Sequence, residues 1–105
     1  MPFSIVSLQT NVTRIALEGA LDAITAEVLR PELAGVLRRR PAQVEVELSR
    51  LRSADTRGME MLVLFFASLA RAGCRITLVG LQNQPLKCLK AALVDAILDA
   101  SEFVN

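Results

Sequence analysis

The sequence predicts an α/β layer fold: an N-terminal β-hairpin, then alternating helices and strands that build a mixed, mainly parallel central sheet of about four to five strands. Three observations carry this prediction. Two short runs of strand pattern flank a turn signal at Asn11. Beyond them, segments of helical and of strand periodicity alternate along the chain. The 105 residues, 52% apolar and 22% charged, suffice for one hydrophobic core with little room for a second, so residues 1–105 read as a single domain.

Element by element, Ser4–Leu8 reads as the first strand, Thr10–Val12 with Asn11 as a turn, and Val12–Leu17 as the second strand. In it Val12, Arg14 and Ala16 alternate with Thr13, Ile15 and Leu17. Thr25–Arg39 carries Leu29, Leu33, Val36 and Leu37 at i, i+4, i+7 and i+8, an amphipathic stripe with Thr25 or Asp22 available as cap. Pro31 lacks a backbone donor and is expected either to kink this helix or to move its start toward Arg30. Arg38, Arg39 and Arg40 before Pro41 place cations at the negative pole of the helix, which accounts for the basic run.

Val44, Val46 and Leu48 then alternate with Gln43, Glu45 and Glu47 in a strand expected to end near Leu51. Met59–Ala72 is a helix apolar nearly all round, closed by Gly73 and too short to cross a bilayer, which takes about 20 apolar residues. Ile76–Val79, between Gly73 and Gly80, reads as an interior strand. Asn83 and Pro85 open a last helix with Leu86, Leu89, Leu93 and Ile97 near one face and an acidic tail of Asp95, Asp99 and Glu102.

Composition narrows the chemistry. Twelve Lys and Arg against eleven Asp and Glu leave a net charge of +1, far from the basic excess that holds a nucleic-acid backbone, so no nucleic-acid partner is expected. The chain has no His, Trp or Tyr, which removes imidazole bases, imidazole metal ligands and most aromatic platforms. Cys74 and Cys88 lie outside any C-x-x-C spacing and read as small buried hydrophobes. No catalytic residue, metal site or cofactor is expected, the hydroxyls having no base beside them. Met1–Leu8 lacks a positively charged start followed by an apolar core, so a cytoplasmic location is expected.

In an open α/β sheet, function gathers where strand ends pass into helix N-termini. Arg50–Gly58 occupies such a place, a polar interruption between a strand and the most apolar helix. Asp55 or Thr56 would cap that helix, and Gly58 would allow tight reversal or close packing.

The order of these pieces resembles the STAS domain, the family of the bacterial anti-sigma-factor antagonists. Leu17, Glu18, Gly19, Ala20, Leu21 and Asp22 look like its L-x-G-x-[LI]-D turn, with Gly19 and Asp22 as the marked positions. Val46 to Ser49 match the following strand, and Asp55, Thr56, Arg57 and Gly58 resemble its D-[ST]-x-G loop before the hydrophobic helix. Leu78, Val79 and Gly80 and a helix from near Pro85 complete a likeness over essentially the whole chain.

The resemblance implies a non-enzymatic, phospho-regulated binding module of signal transduction. Its phosphoacceptor falls on Thr56. The unmodified domain would bind an anti-sigma factor that is also a serine/threonine kinase, phosphorylation would release it, and a cognate phosphatase would reset the switch. The implied partner surface is Asp55, Thr56, Arg57, Gly58, Met59, Glu60 and Val63, with some of Met59, Val63 and Phe66 exposed, and a second copy of the domain is a further possible occupant. Arg57 and Glu60 stand where the family usually has small residues and bear on kinase recognition rather than on the fold. An alternative implied by the same family is the small cytoplasmic subunit of a phospholipid-transporting ABC complex, whose Thr-containing loop is similar and which binds the transport ATPase.

Overall fold

The computed structural model describes residues 3–9 and 11–94. In chain order these form β1 (Phe3–Gln9), β2 (Val12–Leu21), α1 (Ala23–Arg39), β3 (Gln43–Ala54), α2 (Thr56–Arg71), β4 (Arg75–Val79) and α3 (Asn83–Val94). The sheet has four strands in the order β1-β2-β3-β4. β1 and β2 are an antiparallel hairpin, and β2–β3 and β3–β4 are parallel. The predicted mixed α/β architecture is the observed one.

Local chemistry sets the connections. Asn11 turns the hairpin in the left-handed region at φ 68°, which Asn tolerates better than most residues. Its carbonyl then accepts from the Ala42 N–H (2.8 Å) and the Gln43 N–H (3.0 Å), so the same turn fixes where β3 begins beside β2. The Ala42 carbonyl in turn accepts from the Arg75 N–H at 2.9 Å, aligning the start of β4. At the end of α2, Gly73 adopts φ 82° and donates to the Ala70 carbonyl while Cys74 donates to that of Leu69, the paired bonds of a Schellman stop.

One face of the sheet makes the core. Ile15, Leu17, Val44, Val46, Leu48, Ile76 and Leu78 are buried in a single cluster with Leu29, Leu33 and Val36 of α1, Leu62, Phe66 and Leu69 of α2, and Leu89 of α3. Among the described residues the helices therefore cover one side only. The opposite side carries the other half of each period-two pattern, including Arg14 and Glu45, register partners whose side chains pair at 3.5 Å.

Several expectations are corrected. α1 begins at Ala23 and runs through Pro31. Pro31 and Glu27, whose carbonyl loses its helical partner, are both exposed, so that carbonyl lies on the solvent side of the helix rather than in the core. β4 is an edge strand among the described residues, not an interior one, because it pairs only with β3; its apolar run reflects Ile76 and Leu78 facing the helices, while Val79 is exposed. Cys74 is buried but Cys88 only half-buried. The Leu93 side chain and Ile97, Asp95, Asp99 and Glu102 lie outside the described residues. No described helix is long and apolar enough to cross a membrane.

The core assignment has a direct test. Leu29→Ala removes a buried α1 side chain and should cost about 2–5 kcal/mol in urea unfolding, whereas Ile24→Ala on the same helix, 77% exposed, should stay within about 0.5 kcal/mol of wild type.

Candidate functional site

The site is the junction of β3 and α2. Two strands expected to stop early run on to reach it. β2 does not turn at Leu17–Asp22; it continues to Leu21, with Gly19 at φ 78° and register shifts between Ala16 and Glu18 and between Gly19 and Ala20. These irregularities break the alternation that marks a strand in sequence. β3 likewise continues past Leu51 to Ala54, so the polar stretch Arg50–Ser53 is strand rather than loop. Leu21 and Ala54 end the pairing side by side.

Both strands pass straight into capped helices. Asp22 is the N-cap of α1: its side chain accepts from the Thr25 N–H at 2.9 Å, and the Thr25 hydroxyl oxygen accepts from the Asp22 N–H at 2.8 Å. The two candidate caps thus work as one reciprocal box. Those bonds from Thr25 hold the Asp22 carboxyl below the ordinary carboxylate value. Asp55 is the N-cap of α2, accepting from the Gly58 N–H at 2.8 Å while its own N–H donates to the Leu21 carbonyl at 3.0 Å.

Helix α2 therefore begins at Thr56, a turn earlier than Met59. Gly58 is required there: a Cβ on it would overlap the Leu21 carbonyl, lying 2.7 Å from the carbonyl carbon. The first turn of α2 is pressed backbone to backbone against the end of β2.

The predicted site residues divide into two layers. Asp55, Thr56, Arg57 and Glu60 are exposed. Gly58, Met59 and Val63 are not, and the expected exposure of Met59, Val63 or Phe66 is overturned: they are 0%, 5% and 0% exposed. Helical geometry is the cause, since positions 59, 62, 63, 66 and 69 form the sheet-facing stripe of α2. The exposed apolar residue of this helix is instead Leu64, at 66%. Thr56, Glu60 and Leu64, at i, i+4 and i+8, make an outward crest.

A groove flanks each side of the crest. One, about 490 Å³, lies against α1 and is lined by Arg57, Met61 and Phe65 with Leu33 and Leu37. The other, about 500 Å³, lies against α3 and is lined by Thr56, Met59 and Val63 with Cys88, Ala91 and Ala92. Glu60 and Leu64 border both. Burial, with the Asp55 carboxylate adding to it, raises the Cys88 thiol above its ordinary value and keeps it protonated. The Thr56 hydroxyl makes no hydrogen bond among the described residues, to the neighbouring Asp55 and Glu60 carboxylates or to anything else. The arrangement presents a hydroxyl at the first position of the helix.

Two contributors escaped the sequence reading. Leu64 was recoverable by continuing the helical spacing from Thr56. Gln84 was not: from the start of α3 its side-chain amide accepts from the Ala54 N–H and donates to the Ala54 carbonyl, both at 2.8 Å.

Comparison with known proteins adds to this geometry. A family model described as Mlab, STAS domain, matches residues 4–99. No curated protein matches the chain significantly. Similar solved structures include the Bacillus cell-fate determinant SpoIIAA in its phosphorylated form, 16% identical with a TM-score of 0.71 over 97% of this chain and 88% of that one. An anti-sigma factor antagonist from Mycobacterium paratuberculosis is 16% identical with a TM-score of 0.73, covering 89% of this chain and 80% of that one. A sulfate transporter family protein from Wolinella succinogenes is 19% identical with a TM-score of 0.72, over 94% and 80% respectively. At these identities the likeness is one of fold.

The junction yields two predictions. Gly58→Ala should destabilise by about 1–3 kcal/mol or more through overpacking against Leu21, while Gly35→Ala in α1, where a Cβ meets nothing closer than 3.7 Å, should stabilise by about 0.5–1 kcal/mol; urea melts of both decide it. Because Asp22 titrates lower folded than unfolded, its contribution is complete above the unfolded value and lost as pH falls through the folded one. The Tm gap between wild type and Asp22→Ala should therefore be widest near neutrality and shrink below about pH 4; a gap independent of pH would exclude the carboxylate as its source.

Proposed function

The chain belongs to the STAS domain family, and on that premise we propose that it is a non-enzymatic protein-binding switch, docked by an anti-sigma factor with serine/threonine kinase activity when unmodified and released by phosphorylation of Thr56. A cognate phosphatase restores the binding form, and the exchange takes place in the cytoplasm. The observation that carries this reading is the placement of Thr56: exposed, at the first position of α2, beside an Asp55 that fixes the turn, with Gly58, Met59 and Val63 packed behind it.

Electrostatics supports release rather than unfolding. A phosphate adds about −1.5 to −2 charge near pH 7. At the N-terminus of a 16-residue helix the helix dipole favours that charge, and the Arg57 guanidinium follows one residue on. For a partner seated on the crest the same group is a buried charge beside the Asp55 and Glu60 carboxylates, costly to desolvate. The contact surface is accordingly Asp55, Thr56, Arg57, Glu60 and Leu64, with the buried residues acting by holding the helix in place.

The description of the matched family model favours one second reading: a subunit that clamps the ATPase of a phospholipid-transporting ABC complex through the same crest, with Thr56 contacting the partner unmodified.

Incubation with lysate of the source cells and ATP should add one phosphate to the wild type by intact mass and none to Thr56→Ala. Affinity capture should then retain a small soluble kinase on Thr56→Ala and lose it on Thr56→Asp; a membrane-associated ATPase retained by unmodified wild type would select the second reading. Leu64→Asp should abolish capture of either without lowering the urea midpoint, and undiminished capture would remove the crest from the interface.

A further inference from the structure

β4 pairs with β3 only from Gln43–Arg75 to Glu47–Val79. Beyond Val79 the chain turns away through Gly80 at φ 76°, but β3 runs on to Ala54. Its last residues keep β2 on one side and have lost β4 on the other. Successive residues of a strand aim their backbone polar groups to opposite sides. Since the Asp55 N–H points to the Leu21 carbonyl of β2, the Ala54 N–H and C=O point to the side β4 has vacated. Ala54 is buried, so neither group can be left to bulk water without cost.

The Gln84 amide fills that gap, accepting from the Ala54 N–H and donating to its carbonyl. It takes the place of the missing strand neighbour. Asn83, in the left-handed region at φ 59°, brings it there. We propose that Gln84 is a positioning residue for the Asp55–Thr56 turn, tying the N-terminus of α3 to the residue directly before the cap. Its functional consequence rests on the reading of Thr56 as the acceptor; the tether itself does not. Loosening it frees the backbone ahead of Thr56 while leaving the capping bond to Gly58 and the core in place.

Amide exchange followed by NMR tests the tether. In Gln84→Ala the Ala54 amide should exchange at least tenfold faster relative to Val46, in the centre of the sheet, than in wild type. Gln84→Glu supplies a readout that mere packing would not move. As a neutral acid it can donate and accept as the amide does; ionised, it cannot donate and sets a charged oxygen against the Ala54 carbonyl. The Ala54 amide shift of this variant, compared with wild type over the same pH range, should be wild-type-like in acid and move away from wild type as the side chain ionises, because the carboxylate still accepts from the Ala54 N–H but no longer donates to its carbonyl. Unchanged relative exchange in Gln84→Ala, or an Ala54 shift in Gln84→Glu that follows wild type at every pH, would overturn the proposal. In the lysate assay, Gln84→Ala should acquire phosphate several-fold more slowly than wild type. Equal rates would remove the positioning role with the Thr56 reading intact; no phosphate on wild type would remove that reading, and the amide measurements would still decide the tether.

Discussion

The site depends on the parallel pairing of β2 and β3 being carried to its last residue. Leu21 and Ala54 finish side by side, and the Leu21 carbonyl then takes the Asp55 N–H while the Gly58 backbone lies against it. A side chain at position 58 would push the first turn of α2 off the sheet. The exposed turn thus rests on a backbone carbonyl of the neighbouring strand β2, which helps so small a sheet hold a surface residue in a defined place.

Around that carbonyl the labour is divided. Met59, Val63 and Phe66 are immobilised in the core, and Thr56, Glu60 and Leu64 project from the same helix into solvent. A modification on the outer row changes the charge seen by a visitor and leaves the inner row untouched. The grooves on either side share Glu60 and Leu64 but differ in what else they offer, Arg57 toward α1 and Thr56 toward α3. A phosphate on Thr56 would therefore bear first on the α3 side.

Much of this was legible in the sequence because it is local. Asn11 announced the hairpin, Thr13, Ile15 and Leu17 announced their face, and Asp22 and Thr25 announced a cap, although the structure uses both at once. Strand ends were misjudged where bulges around Gly19 interrupt the period of two, and where Arg50–Ser53 extend a strand with polar residues. Ile76–Val79 gave no sign of lying at an edge, since a short apolar run looks the same in either place. Gly58 was noticeable as a glycine, but its reason, the Leu21 carbonyl, is 37 positions away in sequence. Gln84 left no periodic trace at all: its role exists only because β4 stops before β3 does.

Each parallel pairing in the sheet joins residues about thirty positions apart, Val12 with Gln43 and Gln43 with Arg75. Closing such loops is slow compared with forming the hairpin. The surface around Thr56 needs both the second strand and the helix that follows the third, so a chain emerging from the ribosome cannot display it until roughly its first seventy residues are free to fold. Any protein that recognises this shape meets only chains in which the first three strands and two helices have already been made.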